Sequence, residues 1–218
     1  MTDPSADGCP AWEYSTMPLA GGLLRIAAAK VVGQVLDRTL EATRDASDSR
    51  PIHDQLFESL TPTGHPYYAG NYRGAPEYPC LRVYGVEIST DRMVGTAPQS
   101  VRGEMAGLAD ALQRAIAALD AAEHAKEGRR RPEHERLVNI VAVAARFFHE
   151  FLTIHPYANG NGHVARFLVW ILLVRYGHVP TAWTIEPRPA AETYSGAIAD
   201  ARRGRPQDLE RLIFQAII

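Results

Sequence analysis

The stretch that most restricts how this chain can fold is residues 137–174. Leu137, Val138, Ile140, Val141, Val143, Ala144, Phe147, Phe148, Phe151 and Leu152 leave a helix almost no polar side, and "FLVWILLV", Phe167–Val174, reads the same way. A helix that is apolar all round has to be buried. Between these two runs lies "HPYANGNGHVAR", residues 155–166. A short polar bend is therefore expected to open from the middle of a hydrophobic core. Gly160 and Gly162 let the backbone curl so that successive N–H groups converge. The first turn of the second helix adds free amides and the positive end of the dipole. Such a bend suits an anion, phosphate above all. Arg166, one turn in, has a fork that can reach a phosphate. His155, ending the first helix, is a suitable general base at neutral pH. A plain Gly/Asn turn with a capping histidine is the structural alternative. His149, His155 and His163 do not have the spacing of a zinc site.

The rest of the chain reads as mainly α. Apolar residues from Leu19 to Leu36 recur at helical spacing, and a helix is expected from Pro18 to about Ala46. It is expected to pack on the core or make a homodimer contact; covering the site in place is the other role open to it. "RDASDSRP" marks a break, and "IHDQLFESL" reads as a short helix. "CLRVYGVEI" and "MVGTAP" alternate around "STDR", which predicts a small β-hairpin. Pro98 opens a helix striped by Leu108, Leu112, Ile116 and Leu119, with Ser100 as its cap. Gly177 and Pro180 end the second buried helix, and two closing helices follow it. The division expected is residues 1–50, a flexible leader (1–16) and a helix, then a domain over 51–218.

A net charge of −2 and a pI near 6.4 exclude a broad footprint for nucleic acid or an anionic membrane. The start of the chain has no basic region followed by an apolar block, so no secretory signal is read. No uninterrupted apolar run approaches the ~20 residues of a membrane span. The two cysteines, Cys9 and Cys80, suggest no disulfide, because Cys9 lies in the leader. A reducing, cytoplasmic setting is the expectation.

"HPYANGNGHVAR" resembles the signature HPFx(D/E)GNGRxxR of the Fic (filamentation induced by cAMP) family. Further segments are similar in the same order over roughly 52–218: "LFESL…YYAGNYRG", "APQSVRGEMAGL", "RYGHVP" and "TYSGAIADARRGRPQDLERLI". The resemblance implies a Fic-type helical core with the hairpin as a flap, and transfer of AMP from ATP to a Ser, Thr or Tyr hydroxyl of a target protein. Carried over by position, His155 would take the hydroxyl proton. Gly160, Asn161, Gly162 and the residue at His163 would hold phosphates, and Arg166 the terminal one. The flap, Val83, Tyr84, Gly85 and Val86 with Met93 to Thr96, would clamp the target backbone.

Two positions depart from the pattern. The family's acidic residue, which holds Mg²⁺, is Asn159, as in some family members; an amide oxygen is a poorer Mg²⁺ ligand than a carboxylate, and the alternative is a Mg²⁺ held mainly by the nucleotide's own phosphates. The arginine after GNG is His163, which as a neutral ring offers one donor in place of five. The resemblance therefore leaves three outcomes: a slower AMP transferase, a transferase of a related phosphate-containing group, or a degenerate domain that binds a nucleotide or protein. Tyr157 stands for Phe, a mild change if its hydroxyl reaches water. The family's inhibitory pattern (S/T)xxxE(G/N) is met only by "SVRGEM", which lacks its last residue. No built-in inhibitor is read, and a separate inhibitory protein is compatible with that.

Overall fold

The computed structural model describes residues 9–86, 94–126, 130–189 and 193–217. The helices among them are α1 (Ala20–Leu36), α2 (Ala42–Asp45), α3 (Arg50–Phe57), α4 (Pro79–Arg82), α5 (Pro98–Glu123), α6 (Glu133–Ile154), α7 (Asn161–Arg175), α8 (Tyr194–Arg202) and α9 (Gln207–Gln215). The expected all-round apolar pair is the centre of the fold. α6 and α7 pack on each other, α5, α8 and α9 pack against α6, and α1 packs against α3 and α7. In α7 every residue from His163 to Val174 is buried. α6 is long and apolar enough to cross a bilayer, contrary to the reading of the sequence. Here four helices surround it. One hydrophobic core draws buried residues from both sides of residue 50, from Trp12 and Leu24 to Leu209 and Ile213.

Several expectations are corrected. The helix predicted from Pro18 to Ala46 is two helices, because Arg38 takes a left-handed φ of 61° and breaks the run. The cap of α5 is Ala97, with no side-chain bond, and Ser100 lies inside the helix. No strand occurs among the described residues. Pro79–Arg82, which runs into the start of the expected first arm at Cys80, is the short helix α4, with Pro79 in its first turn, where a missing N–H goes unnoticed. The turn itself, residues 87–93, lies outside the described residues. The segment after it docks on α6 instead of pairing as a strand. Gly95 N donates to Thr153 O (2.9 Å) and Thr96 N to Ile154 O (3.1 Å), satisfying carbonyls that the end of a helix leaves open.

Residues 9–16 of the expected loose leader are packed. Trp12 is buried, and its indole N–H donates to Leu60 O at 2.7 Å. Cys9 is bonded to Cys80, with Cα atoms 5.4 Å apart and a sequence separation of 71. A pairing so distant leaves no local trace in the sequence. The bridge removes the cysteine-based ground for a reducing compartment.

Candidate active site at the α6–α7 bend

α6 ends at His155, which takes the left-handed conformation (φ 54°), and Gly160 (φ 78°) precedes α7. Gly160 has a second reason to be glycine: a Cβ there would lie 2.4 Å from Phe57 Cε2. Asn161 closes the bend. Its Oδ1 accepts from Tyr157 N (2.8 Å) and its Nδ2 donates to Tyr157 O (2.9 Å). The Asn161 side chain is thus a staple, and only its backbone amide is left for a ligand. The His163 and Val164 amides turn back onto Gly160 O. Of the first turn, that leaves the N–H groups of Asn161 and Gly162.

Two residues without a motif hold this bend from outside. His53 is fully buried and stacks on Tyr157 with ring centroids 3.7 Å apart. Gly70 N donates to its Nδ1 (2.9 Å), so Nε2 carries the proton and donates to Asn159 O (3.0 Å). Burial pushes its pKa down to about 3, which keeps the ring neutral. Arg73 is also buried, and the described residues place no carboxylate on it. It donates to His155 O (2.7 Å), Tyr84 O (3.1 Å), Thr96 O (3.0 Å) and Ile154 O (3.2 Å). One guanidinium therefore ties the end of α6 to the chain on both sides of residues 87–93, and a cation there complements the negative end of the helix dipole. Burial lowers its pKa to about 10. The Tyr157 hydroxyl meets Ser49 Oγ at 2.8 Å, not water as the sequence reading required.

A cavity of about 370 Å³ opens in front of the bend, lined by His155, Ala158, Asn159, Gly160, Asn161, Gly162 and His163 together with Val86, Glu13 and Tyr14. Larger clefts of about 480 and 670 Å³ lie elsewhere, and no residue of the bend lines them. His155 is mostly buried. Its Nδ1 faces Leu152 O at a long 3.3 Å, so Nδ1 carries the proton and Nε2 is the bare, basic nitrogen. Burial, aided by the Arg73 and Arg202 charges, pushes its pKa down to about 4. At neutral pH the ring is a free base.

Not every expected site residue meets here. Arg166 is buried and does not line the cavity: its Nε donates to Ile185 O (2.8 Å), and a Cβ on Gly162 would lie 3.2 Å from its Nη1. Its charge stands directly beneath Gly162. His163 Nε2 donates to Glu186 Oε2 at 2.8 Å. Burial outweighs this carboxylate and holds the His163 pKa below its usual value, while the same bond holds Glu186 below the usual carboxylate range. The one N–H of a neutral His163 is therefore engaged. Of the described flap residues only Val86 lines the cavity. Val83 is exposed, and Tyr84 instead contacts the N-terminal segment through a 3.4 Å bond from Trp12 N to its hydroxyl.

A resident Mg²⁺ does not fit the groups present. Asn159 Oδ1 already accepts from Gly160 N (2.7 Å), its Nδ2 donates to Trp12 O (2.7 Å), and Glu13 is the lone carboxylate in the cavity wall. No cluster of three acidic, histidine or cysteine side chains occurs among the described residues. No step is derived through a metal.

Fold and bend together define a helical domain with an amide cradle and a histidine at one cavity. The Fic/DOC family model matches residues 44–173, more than half of the chain, and the protein belongs to that family. Its fold is similar to a Fic domain containing signaling protein from Bacteroides thetaiotaomicron, at a TM-score of 0.53 and 18% identity over 90% of this chain and 68% of that one. No curated protein matches the sequence.

Proposed function

We propose that the protein is a Fic-type transferase that moves AMP, or a related phosphate-containing group, from a nucleotide to a protein hydroxyl. The observation that carries this is the bare Nε2 of His155 in the same cavity as the Asn161 and Gly162 amides. In the reaction, the acceptor oxygen attacks the α-phosphorus of ATP, and its proton passes to His155 Nε2. The bond to the bridging oxygen breaks, and pyrophosphate leaves. The two amides hold phosphate oxygens, and the buried Arg166 charge beneath Gly162 adds an attractive field that low polarity strengthens. Phosphate charge entering the cavity raises the pKa of His155 from its low resting value toward the range of an effective base. Val86, which lines the cavity, would touch an acceptor segment.

Specific observations also favour a second reading, a domain that binds a nucleotide or protein without transfer. His163 has its donor on Glu186, and Asn159 has its amide on Trp12, so neither departure from the family pattern supplies a phosphate contact. Incubation with ATP labelled on the α-phosphate, alongside other nucleotides and candidate targets, separates the two. Label on a protein hydroxyl that is lost in His155→Ala is the expected result. Binding of nucleotide with no transfer from any donor refutes transfer and leaves the binding module.

A further inference from the structure

Asn159 and His163, the two motif departures that bear on the chemistry, both touch the N-terminal segment. Asn159 Nδ2 donates to Trp12 O at 2.7 Å, a bond that a carboxylate at this position could not make. The His163 ring meets the Tyr14 ring edge-on, with centroids 5.8 Å apart, and Tyr14 also leans on Phe57 at 5.1 Å. Residues 9–16 are fixed at further points: Trp12 Nε1 to Leu60 O, the Tyr68 hydroxyl to Pro10 O (2.9 Å), and the Cys9–Cys80 bond. Held in this way, the segment places Glu13 and Tyr14 in the wall of the cavity that contains His155. The Glu13 carboxylate in that wall is exposed, and its charge has the sign that opposes an incoming polyphosphate.

We propose that Cys9–Thr16 is a strap across the phosphate loop, latched by Asn159 and His163 and locked by the disulfide, and that dithiol reductants open it. The inference rests on the donor-pocket reading above for its consequence, regulation of nucleotide access, but not for the opening itself. In the step, a dithiol thiolate attacks a sulfur of the Cys9–Cys80 bond, and the mixed disulfide is resolved by the second thiol of the reductant. Two electrons and two protons pass to the protein. Cys9 and Cys80 become thiols, and the reductant becomes a disulfide. Cys9 is the half-exposed partner and Cys80 the buried one, so attack falls on Cys9 sulfur and Cys80 leaves. Once the lock is gone, the strap is held by a few hydrogen bonds and one aromatic cluster, the kind of element that opens locally without global unfolding.

The test compares oxidised protein, protein reduced with dithiothreitol, and the Cys9→Ser variant. Hydrogen exchange is read at residues 12–16, along with the rate at which diethyl pyrocarbonate modifies His155, with exposed His134 as the internal reference. Reduction is expected to raise both rates about tenfold or more, since it removes a crosslink that closes a long loop, and to tighten ATP binding. Tyr68→Phe keeps the disulfide and the fold while removing one anchor. It is expected to raise His155 labelling about fivefold, the worth of one buried hydrogen bond. The strap is overturned if exchange and labelling are the same in both redox states, or if they change while ATP binds with the same measurable affinity in both. Failure of ATP to bind in either state, with labelling still redox-dependent, supports the strap and refutes the donor reading instead.

Discussion

Replacing Gly160 by alanine tests whether the bend is built as described. Two costs add. A side chain at φ 78° pays the left-handed penalty of about 1–2 kcal/mol. The new Cβ also falls 2.4 Å from Phe57 Cε2 and 2.6 Å from Cζ, far inside the ~3.5–4.0 Å of carbon contact. Phe57 is fully buried between Trp12, Tyr14, His53 and His163, so it cannot swing away freely, and forced overpacking costs about 1–3 kcal/mol. The total is roughly 2–5 kcal/mol, a large part of the ~5–15 kcal/mol that holds a domain together. Urea unfolding is the assay. With a slope of about 2 kcal/mol per M, the midpoint falls by about 1–2.5 M. The double variant Gly160→Ala/Phe57→Leu separates the two terms: relief of the clash makes it less destabilised than the sum of the singles by at least ~1 kcal/mol, leaving the backbone penalty. A Gly160→Ala protein within ~0.5 kcal/mol of the parent, or strictly additive singles, would refute the close approach of loop and ring.

Three further outcomes follow from buried polar groups. His53 has a folded pKa near 3 against about 6.5 unfolded. The unfolded chain therefore binds a proton that the folded chain refuses, and stability falls as pH drops from about 6.5 toward 3 by up to ~1.4 kcal/mol per pH unit. His53→Gln, measured by urea unfolding from pH 7 to 4, is expected to lower that slope by one proton; an unchanged slope contradicts the neutral, two-bonded ring. Arg73→Met leaves the carbonyls of Tyr84, Thr96 and His155 without their donor, while Ile154 O keeps Thr96 N, and is expected to destabilise by about 3 kcal/mol or more, with Arg73→Lys failing to restore it because one ammonium cannot span the fork. Glu186→Gln removes the carboxylate that raises His163, so the imidazole pKa followed by NMR moves further down; an upward move would show that the two groups do not share a proton-bearing bond.

The apolar pair α6 and α7 was legible in the sequence because nothing but burial suits such runs. The bend between them was legible because glycine and asparagine there had a backbone reason to be present. His155, Gly160 and Gly162 line the cavity in front of the bend. Arg166 does not reach the cavity, since a one-turn offset says nothing of Ile185 O, which takes its Nε. The strap was hidden for a different reason. Nothing in "CPAWEYS" is periodic, and its order comes from contacts with residues 48 to 149 positions away: Trp12 to Leu60 and Asn159, Cys9 to Cys80, and Tyr14 to His163. A tryptophan and a cysteine in an otherwise polar stretch were the only signal. His53 and Arg73 escaped as well, although an arginine in "YRG" and a histidine in a short amphipathic helix are visible; the partners that give them meaning are backbone carbonyls and an amide, which no sequence pattern displays. The hairpin expected from alternation lost to Pro79, which begins a helix, and to the docking of Gly95 and Thr96 on α6.

The most direct probe of the phosphate-binding, proton-accepting bend is an NMR titration of the reduced protein with ATP, following the backbone amides of Asn161 and Gly162 and the imidazole of His155. The account predicts that both amide protons shift downfield together, saturably, and that the His155 pKa climbs from about 4 as nucleotide fills the cavity. Amides that stay in place while ATP binds elsewhere, or a His155 that titrates like an exposed histidine with and without nucleotide, would contradict it.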